Sequence, residues 1–91
     1  MDSVLKEAET VINGDRAESY GSPLLSCSRI SAIWTGILDT KVTPEQVCLC
    51  MIGLKLAREK NKHQRDNLVD IAGYAGVLEN LLKQKEEVPI V

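Results

Sequence analysis

Phenylalanine is absent from this 91-residue chain, and one tryptophan and two tyrosines are its whole aromatic content. Each of those rings therefore needs a reason for its place. Histidine occurs once, which leaves Ser-His-Asp or Cys-His catalysis without support and, beside three cysteines, makes a four-ligand zinc site an unfavoured reading. The cysteines (Cys27, Cys48, Cys50) form no even disulfide framework. They are expected to be reduced core residues of a cytosolic protein, with Cys48 and Cys50 pointing different ways on one helix. No apolar run reaches the roughly 18–20 residues of a membrane span, and no basic-then-apolar leader opens the chain. Basic excess is lacking too: the net charge is −2, which excludes a uniformly basic nucleic-acid binder. A Gly-rich phosphate loop, internal repeats and low-complexity tracts are likewise missing.

What is present is an uneven charge distribution. Residues 1–21 carry five acids against two bases, whereas residues 55–65 carry five bases and His63 against one acid. A local basic strip on a neutral protein favours a small anion as partner over a long duplex.

Apolar periodicity predicts four helices in a single all-α domain of residues 1–91, with its core at about 3–82 and a frayed tail at 83–91. The first covers residues 3–13, with Val4, Leu5, Ala8, Val11 and Ile12 as one stripe and Asn13-Gly14 as a C-terminal cap. Ser22-Pro23 opens the second, whose apolar set runs from Leu24 to Leu38 and includes Trp34 at a core period. Residues 39–42 connect it to Thr43-Pro44-Glu45-Gln46, a capping box and the clearest helix start in the chain. The third helix is then apolar all round through residues 47–54. Such a helix is buried on every side, so it is expected to be a central helix or an oligomer interface. A polar connector at 59–65 leads to the fourth helix, which carries Gly73 and Gly76. Each glycine costs about 1 kcal/mol relative to alanine, and close helix approach or a ligand against the backbone would account for them.

Within the third and fourth helices the polar residues fall in a pattern, K-x-x-R-x7-D-x-x-x-D-x-x-x-Y. Lys55 and Arg58 share one helix face, and Asp66, Asp70 and Tyr74 share another. Folded as a hairpin, the two faces suit a phosphorylated, base-bearing ligand, and equally an ion-pair network. Lys55 interrupts an apolar helix, so it either snorkels or points into a polar cleft. Arg58 suits phosphate by its planar fork, whereas Lys60, Lys62 and Arg65 read as solvated surface. Asp66 is also a plausible first-turn acid. In the polar segment before the second helix, Tyr20 is placed to fold over a base and Arg16 to reach a phosphate. Candidate ligand-binding residues are therefore Arg16, Tyr20, Lys55, Arg58, Asp66, Asp70 and Tyr74, with no catalytic or metal-binding residue assigned.

The combination Gly14-Asp15-Arg16, Tyr20-Gly21, Lys55-x-x-Arg58 and Asp70-Ile71-Ala72-Gly73-Tyr74-Ala75 resembles a family of small phage and prophage proteins carried as a domain of unknown function. More distantly it is similar to phage nucleotide-modification-associated domains and to the all-α, MazG-like nucleotide pyrophosphohydrolases. The paired E-x-x-E and E-x-x-D magnesium carboxylates of those enzymes have no full counterpart here. The resemblance implies a nucleotide-handling, oligomeric all-α phage protein in the host cytoplasm.

Three readings follow. The first is a non-catalytic homo-oligomeric sponge for a nucleotide or cyclic-nucleotide-type signal of host antiphage defence, needing no cofactor. The second is a degenerate Mg²⁺-dependent pyrophosphohydrolase using Asp15, Glu18, Asp66 and Asp70. The third is a protein-interaction module whose polar cluster is only structural.

Overall fold

The computed structural model describes residues 2–13 and 22–87. It contains α1 (Val4–Asn13), α2 (Pro23–Leu38), α3 (Pro44–Asn61) and α4 (Arg65–Glu87), and no strand occurs among the described residues. The helix starts are set by local chemistry. The Ser22 hydroxyl accepts the Leu25 N–H at 3.1 Å. At Thr43 the box closes in both directions: its hydroxyl accepts from the Gln46 N–H at 3.2 Å, and the Gln46 side chain accepts from the Thr43 N–H at 2.9 Å. Caps of this kind contribute about 1 kcal/mol each. α2 stops at Asp39, whose φ of 54° lies in the left-handed region that a short acidic side chain tolerates. The connector to α3 is clipped by the Val42 N–H, which donates to the Thr35 hydroxyl at 2.8 Å.

α4 is the spine, packing against each of the other three helices. The buried centre contains no aromatic ring: it is Cys27 from α2, Val47 and Cys48 from α3, and Val77 and Leu81 from α4. Trp34, Met51, Ile30 and Leu78 pack around it half-buried. Burying one such aliphatic side chain contributes about 1.5–3 kcal/mol. α1 lies along α4 with Ala8 buried. A Cβ at Gly76 would stand 2.8 Å from Cδ1 of Ile12, so close approach of α1 accounts for that glycine.

Several expectations are corrected. α3 is not a central helix: Val47 and Cys48 are buried, but Leu49, Leu54 and Leu56 are 57, 41 and 55% exposed. Cys50 faces outward with them and is no core residue. Arg65 is not free surface, because it pairs with Glu7 and donates to the Asp2 carbonyl at 2.7 Å, tying α1 to the start of α4. The α3–α4 connector shrinks to residues 62–64, since α3 continues to Asn61. α4 in turn runs past Leu82 to Glu87, where Lys85 reaches Glu45 at 2.9 Å.

Two outcomes are expected. Burial pushes the Cys27 thiol up and the Cys48 thiol up to about 12, so both stay protonated and unreactive. Titration of dilute, monomeric protein with a thiol reagent should modify Cys50 rapidly, and Cys27 and Cys48 only in denaturant. Fast reaction of all three would contradict the core described here. At the hairpin turn, Glu59 bonds His63 and accepts from the Gln64 N–H and the Asn67 amide. The His63 contact, followed by that N–H, lowers the Glu59 carboxyl from 4.5 to about 2. A depressed acid stabilises the fold above its unfolded value and loses that contribution as pH falls through the folded one. Melting temperature should therefore decline from about pH 4.5 toward pH 2, and more shallowly in Glu59→Gln.

Candidate functional site

Between α1, α2 and α4 lies an open cavity of about 340 Å³, walled by Ile12, Pro23, Ile30 and Val69, with Gly73 and Tyr74 along one side and Ser26, Lys55 and Asp70 as polar groups. A second cavity, of about 630 Å³, sits at the α3–α4 turn. Its walls are polar: Lys55, Arg58, Lys62, Asp66, Asn67 and Asp70. Lys55 and Asp70 line both, so they form the partition between an apolar compartment and a basic one. Volumes of this order are those of small-molecule sites.

The partition is an ion pair. Lys55 Nζ stands 3.0 Å from Asp70 Oδ2, with side chains 15 and 32% exposed. Helical geometry produces it. Lys55 lies seven residues after Cys48, two turns along the inward face of α3, while Asp70 projects from α4 between buried Val69 and half-buried Ile71. Lys55 thus points into a polar cleft. Withdrawing two charges this far from water is costly and is offset only by close pairing. Among the described residues no buried side-chain nitrogen or oxygen is left without a partner.

Tyr74 is half-buried one turn beyond Asp70. Burial chiefly, with Cys27 and Asp70 nearby, pushes its hydroxyl above the ordinary tyrosine range, so it stays neutral and can donate or accept a hydrogen bond. Cys27 forms part of the same wall and lies 3.8 Å from Cys48, sulfur to sulfur. With both thiols held protonated, neither is a nucleophile.

The structure thus brings together Lys55, Asp70 and Tyr74 in the first cavity, and Lys55, Arg58, Asp66 and Asp70 in the second. Arg58 is exposed and makes no ion pair with a described residue, and Asp66 is an exposed first-turn acid of α4. Arg16 and Tyr20 lie outside the described residues, as do Asp15 and Glu18. Sequence reasoning missed Ser26 and Cys27, because nothing in their spacing separates a cavity wall from a packed one. It also missed Lys62 and Asn67, which the hairpin turn brings beside Arg58. Among the described residues no three His, Cys, Asp or Glu side chains are grouped to hold a metal ion, and no helix is long and apolar enough to cross a membrane.

Comparison with known proteins places these features in a family. Residues 3–82 match a domain of unknown function, DUF6378. The Gene 55 protein of Mycobacterium phage L5 is 44% identical over 87 residues, covering 93% of this chain and 56% of the phage protein. That of Mycobacterium phage D29 is 34% identical over 87 residues, covering 94% and 58%. The chain therefore spans little more than half the length of these relatives. No solved structure matches it. By the span of the family match and the likeness to two phage proteins, the chain belongs to the DUF6378 family, a domain of unknown function found in phage proteins.

Proposed function

We propose that this protein binds a phosphorylated nucleotide and holds it without cleaving it, as a sponge for a nucleotide signal of host antiphage defence. One observation carries the reading: the Lys55–Asp70 pair is shared by an apolar cavity and a basic one. A nucleotide has that same division. Its base would enter the compartment walled by Ile30, Val69 and Tyr74, and its phosphates would meet Arg58, Lys62 and Lys55. Asp70 would accept from a ribose hydroxyl or a base amine. The second cavity has three cations against two acids, Asp66 and Asp70, which favours an anion that also carries donors. Phage kinship supports the biological setting.

Isothermal titration with AMP, ADP-ribose and cyclic GMP–AMP, with Mg²⁺ present and absent, tests this. The expected result is micromolar binding of at least one, the nucleotide being recovered intact. Lys55→Ala, checked for folding by circular dichroism, should weaken it about tenfold to a hundredfold, the worth of a charge-assisted hydrogen bond. Affinities no tighter than about 1 mM for every ligand would sink the proposal. Recovery of a hydrolysed nucleotide, or release of pyrophosphate and nucleoside monophosphate from a nucleoside triphosphate added with Mg²⁺, would replace it with the hydrolase reading. A Lys55→Ala effect on melting temperature alone would leave a purely structural ion pair.

The same proposal includes self-association through α3. Its outward face presents Leu49, Cys50, Gly53, Leu54, Leu56 and Ala57, about two and a half turns with no charged side chain. Among the described residues a Cβ at Gly53 would meet nothing within 4 Å, so none of them accounts for that glycine. An uncharged face pairs best with a like face, and a second copy supplies one. The copies would run antiparallel, because a parallel pair sets Arg58, Lys60 and Lys62 against themselves. Sedimentation at about 100 µM should show a dimer or larger assembly, reduced to monomer by Leu56→Lys at unchanged helicity. A monomeric parent protein at that concentration would remove this part of the proposal.

A further inference from the structure

Gly73 and Gly76 stand on the same stretch of α4, and the structure gives them different reasons. At Gly76 an added Cβ would meet Cδ1 of Ile12 at 2.8 Å, closer than real contacts allow unless that end of the isoleucine shifts. At Gly73 the corresponding Cβ would meet a single neighbouring atom, Cγ2 of Ile12, at 3.6 Å, an ordinary van der Waals distance. Among the described residues packing therefore leaves room for a methyl group at position 73, although the glycine itself is buried. Helix propensity favours one, since glycine inside a helix is costly relative to alanine. No positive φ is involved, because the residue is helical. What remains around Gly73 is the apolar cavity, whose wall it forms with Asp70, Tyr74 and Val77 on α4, opposite Pro23 and Ile30 of α2.

From this we infer that Gly73 is the floor against which a planar ring lies, so that the first cavity selects ligands with a nucleobase over simple sugar phosphates. The inference rests on the nucleotide reading above and adds the residue that sets its specificity. A bare helix backbone lets a flat ring approach closely, with the Tyr74 side chain beside it and Asp70 at its polar edge. The closing of that approach by one methyl group is the consequence to measure.

Gly73→Ala in the full chain supplies two readouts. The first needs no ligand: the melting temperature should rise by on the order of 4 °C, because the helix gains and the packing does not lose. A fall would show that packing requires the glycine and would overturn the inference. The second is calorimetry with AMP, ADP-ribose and cyclic GMP–AMP against ribose 5-phosphate. The parent protein should bind its preferred nucleotide at least about tenfold more tightly than ribose 5-phosphate. Gly73→Ala should erase that difference while leaving ribose 5-phosphate binding unchanged, and Gly36→Ala, at an exposed helical glycine outside this cavity, should preserve it. Equal nucleotide affinity in the parent and in Gly73→Ala would overturn the role of Gly73 alone. Ribose 5-phosphate binding as tightly as the nucleotides would leave an anion site with no ring contact. Failure of every probe to bind the parent protein would remove the nucleotide reading and this inference together.

Discussion

The register of α3 against α4 is the constraint from which the rest follows. Three polar contacts pin it along the hairpin: Glu45 with Lys85 at one end, Lys55 with Asp70 in the middle, and Glu59 with Asn67 at the turn. A slip of one helical turn would break all three at once. They are unequal in weight. Lys85 is exposed, and pairs of that kind contribute about 0–1 kcal/mol. Lys55 and Asp70 are largely withdrawn from water, so removing either partner would strand a charge. The turn contact is strongest with Glu59 ionised, the state that its His63 and Gln64 N–H contacts favour. With the register held, Val47 and Cys48 meet Val77 and Leu81, and the two cavities share one wall.

Scarcity of rings shapes what that register encloses. The fully buried side chains are Val47 and Cys48, both small, and the largest group near them, Trp34, is only half-buried. Cores of small residues fill space only where helices come close. α1 does come close at Gly76, where Ile12 presses against the α4 backbone. One turn earlier, at Gly73, the approach is looser, and the space that opens there is the apolar cavity. Cavity and close contact are thus two consequences of a single helix crossing.

Local chemistry was readable from the chain, and long-range pairing was not. Ser22 and Thr43 identify themselves as caps because their partners lie three residues away. Four helices, the hairpin and the candidate Lys55–Asp70 pairing follow from periodicity and from the rarity of an unpaired lysine in an apolar helix. Arg65 looked like surface because its partners, Glu7 and the Asp2 carbonyl, are far away in sequence. For α3 an apolar surround implies burial, either at the centre of the chain or at an oligomer interface. In the single chain Leu49, Leu54 and Leu56 instead face outward, and composition does not say what covers them. Of the seven candidate site residues, five are placed on the walls of two adjoining cavities, while Arg16 and Tyr20 lie outside the described residues.

A cation already paired with a carboxylate is a poor site for a bare anion, since an incoming phosphate must compete with Asp70 for Lys55. The competition changes if the ligand also donates. A hydroxyl or amine directed at Asp70 replaces what that carboxylate loses, and Lys55 is then shared between two oxygens instead of being taken from one. Arg58 and Lys62, exposed at the turn, add charge without any prior partner among the described residues. On the nucleotide proposal, the arrangement would discriminate by demanding both functions from one molecule at a fixed separation. It also argues against strong binding of inorganic phosphate, which carries the charge but lacks a ring for the apolar side.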